Sequence, residues 1–169
     1  MSLTNIEIEY LAKYLKIPLI TCCLQEELTN FKIQNGGYII NYGNRENGGT
    51  HYVAFYIYDD YCMLFDSFGA PFDSDVLKFV SNVKHKAYNE WIIQDINDDH
   101  CGFYCILFIY YASQINQSKQ LFKISNDFIN YFVTDSYQNL PILKLLFKPL
   151  IKPQDISKFN KNIYNKIKQ

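Results

Sequence analysis

The chain has no apolar run long enough to cross a bilayer. The longest, near Phe103 to Ala112, falls well short of the roughly 20 residues that a spanning helix needs. No Cys/His spacing matches a zinc site. The five cysteines (Cys22, Cys23, Cys62, Cys101 and Cys105) are an odd set without the regular spacing of a disulfide framework. Glu7 and Glu9 interrupt the apolar residues near the start, so no secretory signal is read there. Internal repeats and low-complexity linkers are also missing. Arginine occurs once, at Arg45, while Ile, Asn, Lys and Tyr abound, which marks an AT-rich coding sequence and not a mechanism. These absences lead to the expectation of a reduced, intracellular protein without a membrane segment.

What is present favours a folded unit. At 169 residues the chain has the size of one domain. Hydrophobic residues make up 49% and aromatics 17%, which argues against disorder. The net charge of −1 hides an uneven distribution. From Ile142 to Gln169 seven lysines (Lys144, Lys148, Lys152, Lys158, Lys161, Lys166 and Lys168) face one acid, Asp155. The first 141 residues carry 9 basic and 16 acidic side chains. A basic tail on an acidic body implies a solvated covering helix, an intramolecular dock or an anionic partner such as DNA, bound weakly. Ile142, Leu145, Leu146 and Leu150 supply the apolar face such a dock needs.

Thr4-x-x-Glu7 reads as a capping box opening a helix to about Leu15, stopped by Pro18. A short helix around Gln25 to Phe31 follows, then a glycine-rich loop around a strand at Tyr38 to Asn41. His51 to Tyr58 and Tyr61 to Asp66 read as a hairpin turning at Asp59-Asp60. Asp73 or Ser74 caps a helix through Val80, and Trp91 to Ile96 reads as a third strong strand. Cys101 to about Ile115 is apolar on nearly every side, as in a buried helix. Another helix is expected over about Asn126 to Val133. The fold class is α+β, a central and mostly antiparallel sheet against a buried helix.

The hairpin carries a geometric expectation. With the turn centred between Asp59 and Asp60, Val53 faces Asp66, and His51 shares their face of the sheet. His51 and Asp66 then become diagonal neighbours roughly 7–8 Å apart at Cα, within reach of an imidazole–carboxylate bond. Cys101 follows a polar turn at the head of the buried helix. There the helix dipole favours a thiolate, and Asp98 or Asp99 is positioned to cap. His100 is expected to face solvent.

Three stretches resemble the adenovirus maturation protease family, the adenains. Asn41-Tyr-Gly-Asn-Arg45-Glu-Asn-Gly-Gly49-Thr-His51 is similar to the approach to that family's catalytic histidine. Met63-Leu-Phe-Asp66-Ser-Phe-Gly69 looks like the strand bearing its acid. Gln94, six residues, then Cys101-Gly102 matches the oxyanion glutamine and nucleophile in spacing and order.

The resemblance implies a papain-like/adenain-like cysteine protease fold over residues 1–169. It gives Cys101 the role of nucleophile, His51 of base, Asp66 of orienting acid and Gln94 of oxyanion donor. Tyr52, Gly49 and Gly102 would line the substrate cleft. Tyr52 stands where the family usually has Trp. It further implies a monomeric endopeptidase that processes capsid or core precursors at Gly-containing sites during virion maturation. A virophage or polinton-like virus is the implied source, and the virion and host cytoplasm the implied location. No metal or other cofactor is implied. A DNA or peptide activator would not be disulfide-linked, because no cysteine lies between Cys62 and Cys101. The competing expectations are a ubiquitin- or SUMO-type isopeptidase, an acetyl-CoA-dependent acyltransferase, and a non-catalytic capsid or nucleic-acid-binding protein.

Overall fold

The expected capping box forms at the first helix. In the computed structural model, which describes residues 2–43, 51–152 and 159–168, Thr4 Oγ1 accepts the Glu7 N–H and Glu7 Oε2 accepts the Thr4 N–H. Such a cap contributes ~1 kcal/mol by satisfying helix-end donors. Helix α1 (Asn5–Leu15) buries Ile8, Leu11 and Ala12. Lys16 then turns left-handed at φ 56°, and Pro18 prevents a return to helix.

Five strands follow: β1 (Leu19–Leu24), β2 (Gly36–Tyr42), β3 (His51–Tyr58), β4 (Tyr61–Phe65) and β5 (His85–Tyr88). They lie side by side in chain order. The inner pairings β2–β3 and β3–β4 are antiparallel, and the outer pairings β1–β2 and β4–β5 are parallel. The fold is therefore α+β with a mixed sheet, where a mostly antiparallel one was expected.

Both parallel strands went unread in the sequence, and the expected strand at Trp91 to Ile96 does not form. Strand β5, His-Lys-Ala-Tyr, is a half-exposed edge with little apolar signal. The 91–96 segment instead bends as a loop. Its Ile93 and Gln94 N–H groups both donate to the Ser67 carbonyl, and Trp91, Ile92 and Ile96 are exposed. Composition reports which residues suit a pleated surface, not whether a neighbouring edge is free to pair.

Strand β3 divides the core because its side chains alternate between faces. Tyr52, Ala54 and Tyr56 join the cluster built on helix α3 (Cys101–Ala112). Val53, Phe55 and Ile57 pack on the other side with Leu28 and with Val76 of helix α2 (Ser74–Phe79). Asp73 caps α2 by accepting the Asp75 N–H. Helix α3 is buried from Cys101 through Ile109, consistent with its apolar circumference. Phe65 of β4 stacks on Phe108 with centroids 4.7 Å apart. Losing such a buried ring typically costs about 3–5 kcal/mol.

Helices α4 (Leu121–Ile129) and α5 (Asn139–Phe147) cover α3. The first begins and ends earlier than the 126–133 expectation, and residues 25–30 form a 3₁₀ rather than an α turn. Helix α6 (Lys161–Lys168) completes the described chain.

The lysine-rich end docks on α1. Lys166 Nζ lies 2.7 Å from Glu7 Oε2 and also donates to the Ser2 carbonyl. Tyr10 and Tyr14 hydroxyls accept the Asn160 and Lys152 N–H groups, and the Phe159 ring meets both tyrosines edge-on. The apolar anchors are Leu143, Phe147, Ile151, Phe159 and Ile163. Leu145, expected on the docking face, is instead 69% exposed.

Candidate active site

The turn at Asp59-Asp60 decides the site's register. Asp59 adopts φ 52°, a left-handed conformation that Asp tolerates better than most residues. Asn35 Oδ1 accepts its N–H. Strand pairing runs from Tyr58 opposite Tyr61 to Ala54 opposite Phe65. Continued one step, this register sets Val53 opposite Asp66 and makes His51 the diagonal neighbour of that carboxylate. The expected bond forms: His51 Nε2 lies 2.7 Å from Asp66 Oδ1.

Asp66 is 2% exposed and held from several directions. Its Oδ1 also accepts the Phe68 N–H. Asn89 grips its backbone twice, accepting the Asp66 N–H and donating to the Asp66 carbonyl. Gly69, at φ 63°, closes the following turn so tightly that a Cβ there would sit 2.7 Å from the Glu90 carbonyl. Asn89 was not identified from the sequence; a polar residue beside an edge strand carries no local signal of this contact.

His51 and Asp66 share the sheet face turned away from α3, whereas Cys101 begins α3 on the opposite side. The three residues meet around the end of the sheet, because His51 is the first residue of β3 and Asp66 immediately follows β4. The Cys101 thiol is near enough to the same imidazole to act on its protonation together with Asp66. Nε2 is committed to Asp66, which leaves Nδ1 for a second partner. Burial opposes protonation of the ring, but Asp66 and Cys101 together outweigh it and lift His51 to about 9. Phe68 lies against the ring, centroids 4.6 Å apart, an arrangement that also favours an imidazolium.

Helix α3 presents its positive dipole end at Cys101. No side chain caps this end; His100 occupies the N-cap position. That corrects two expectations. Asp98 does not cap the helix but accepts the His100 backbone N–H and pairs with His100 Nδ1. His100 is accordingly buried, not solvent-facing. The carboxylate serves the loop before the helix, since from two residues ahead of the N-cap it reaches the His100 amide and imidazole.

Gln94 is 1% exposed and its amide is oriented at both ends. Ser67 Oγ donates to Oε1 at 2.5 Å, and Nε2 donates to the Asp98 carbonyl. An amide nitrogen carries two hydrogens, so one remains for another acceptor. Ser67 therefore belongs with the candidate site, a role that a serine in a turn does not announce.

The remaining candidates separate. Tyr52 is buried, with its hydroxyl donating to Asn5 Oδ1 at 2.6 Å, and its carbonyl accepts from the Cys105 thiol. Gly102 is also buried; a Cβ there would meet Leu3 and Ile8 at 3.3 Å, so its small size serves the packing of α1 on α3. Gly49, like the 44–50 stretch of the family-like approach to His51, lies outside the described residues.

No protein-family model matches the chain, and no curated protein matches it.

Proposed function

We propose that this chain is a cysteine endopeptidase of the adenain type, with Cys101 as nucleophile, His51 as base, Asp66 as orienting acid and Gln94 as oxyanion donor. The observation that carries the reading is one imidazole bonded to a buried carboxylate at 2.7 Å and lying close to a thiol at the head of a buried helix. Separate sequence regions supply these groups, and a core histidine needs only one partner.

In the proposed reaction the proton shared by the Cys101 thiol and His51 Nδ1 rests on the imidazole as sulfur bonds to the peptide carbonyl carbon. The carbonyl π electrons move to oxygen, where the free Gln94 N–H and the Cys101 backbone N–H donate. Each such donor is worth roughly 10²–10³ in rate. The tetrahedral species collapses, the C–N bond breaks, and the imidazolium passes its proton to the leaving amine. Water, deprotonated by His51, attacks the thioester; the C–S bond breaks, the acid product departs and sulfur regains its proton. Asp66 holds the ring's tautomer throughout.

The substrates proposed are capsid or core precursor proteins cut at Gly-containing sites. Incubating the protein with candidate precursors and mapping new termini tests this. Cleavage lost in Cys101→Ala supports the reading. Hydrolysis confined to ubiquitin or SUMO conjugates would replace it with an isopeptidase, and acetyl-CoA-dependent modification with an acyltransferase.

A further inference from the structure

A cleft of about 350 Å³ opens beside the candidate site, lined by Phe68, Ile92, Gln94, Asp95, Ile96, Ser136 and Tyr137. Its volume lies within the usual range for ligand sites. Two of its walls belong to the site already described: Phe68 lies on the His51 ring and Gln94 is the proposed oxyanion donor.

Three of the other walls, beside Asp95 and Ser136, are apolar and exposed. Ile92 is 58%, Ile96 85% and Tyr137 73% exposed. Exposed apolar groups gathered at one place mark a surface that something covers. The backbone between the two isoleucines is well tied. Ile93 and Gln94 N–H groups donate to the Ser67 carbonyl, and Asp98 N–H returns to the Asp95 carbonyl. The buried Asn139 amide donates to the Ile93 carbonyl. The isoleucines are thus presented by an anchored loop.

We infer that this cleft binds a bulky apolar side chain of the substrate on the leaving side, C-terminal to the scissile bond. The inference rests on the endopeptidase reading above. The side follows from proton transfer: the imidazolium must reach the departing nitrogen, so the leaving segment passes His51 and the Phe68 ring packed on it. A leucine, isoleucine, methionine or phenylalanine there meets Ile92, Ile96 and Tyr137. Asp95 at the cleft disfavours an acidic residue in that position.

Peptides from a digested proteome, with both sides of every cut read by mass spectrometry, provide the test. Wild-type protein is expected to enrich apolar residues within the first positions after the bond. Ile92→Ser/Ile96→Ser should erase that enrichment and lower kcat/KM for such peptides about 10-fold or more, the discrimination typical of an apolar pocket. Its unfolding temperature should stay at the wild-type value, because both side chains are exposed. Enrichment that survives in the double variant, or none after the bond, overturns the subsite while leaving the endopeptidase reading intact. Enrichment before the bond that disappears in the variant overturns the leaving-side assignment. Absence of any Cys101-dependent cut overturns the endopeptidase reading and the subsite with it.

Discussion

Ser67 Oγ lies 2.5 Å from Gln94 Oε1, and this bond decides which end of the buried amide is committed. With Oε1 receiving the hydroxyl proton and one Nε2 hydrogen given to the Asp98 carbonyl, a single amide hydrogen remains for the proposed reaction. Gln94→Ala should lower kcat by about 10²–10³ with little change in KM, as for a donor used in the transition state. Ser67→Ala should lower kcat in the same direction but less. A change confined to KM in Gln94→Ala would move that residue from transition-state stabilisation to substrate binding.

Cys101→Ala should abolish proteolysis and leave the fold intact, since one sulfur contributes little packing. Cys105, one turn further along α3 and fully buried, should be dispensable for turnover. Cys105→Ala is expected to affect thermal stability only. Turnover of Cys101→Ala near the wild-type rate refutes the nucleophile assignment.

The pH dependence follows from the imidazole. His51 is held protonated up to about 9, so Cys101 alkylation by iodoacetamide should change its pH profile near that value. Asp66→Asn removes the carboxylate that raises His51, and the sign is a downward shift of that inflection. Turnover should fall as well, because the imidazole tautomer is no longer held. An unmoved inflection in Asp66→Asn would show that another group sets it.

The docked tail makes a separate prediction. Lys166→Ala leaves the Glu7 carboxylate, 12% exposed, without its cation. The expected loss is about 1–3 kcal/mol in denaturant unfolding. Burial opposes ionisation of Glu7, but bonds from Lys166 and Thr4 lower its pKa below 4.5. Its contribution is therefore present above about pH 4.5 and lost as pH falls through the lower folded value. The wild-type advantage over Lys166→Ala should shrink in acid.

Deleting residues 152–169 separates the dock from a genome contact. The buried Phe159 and Ile163 predict loss of stability and activity in the absence of DNA. A variant that stays folded and active but loses a salt-dependent DNA affinity would instead assign the lysines to phosphate contacts.

Much of the candidate site was legible because its information is local. Hairpin parity through Asp59-Asp60 is enough to bring His51 to Asp66, and an apolar run after a polar turn is enough to begin a buried helix at Cys101. The supports were not legible. Asn89 reaches Asp66 across 23 residues and Ser67 reaches Gln94 across 27, with no periodicity linking either pair.

The sequence by itself determined the elements whose cause lies within a few residues: the Thr4–Glu7 cap, the β3–β4 register and the all-round apolar character of α3. Only the tertiary structure decided that Leu19–Leu24 and His85–Tyr88 pair as outer strands while the β-prone 91–96 segment remains a loop. It also decided that His100 turns inward to Asp98 and that the lysine-rich end rests on α1. The physical reason is common to these cases. Strand pairing and burial depend on which edges and faces remain open after the rest of the chain has packed, and that competition is not written in any local window.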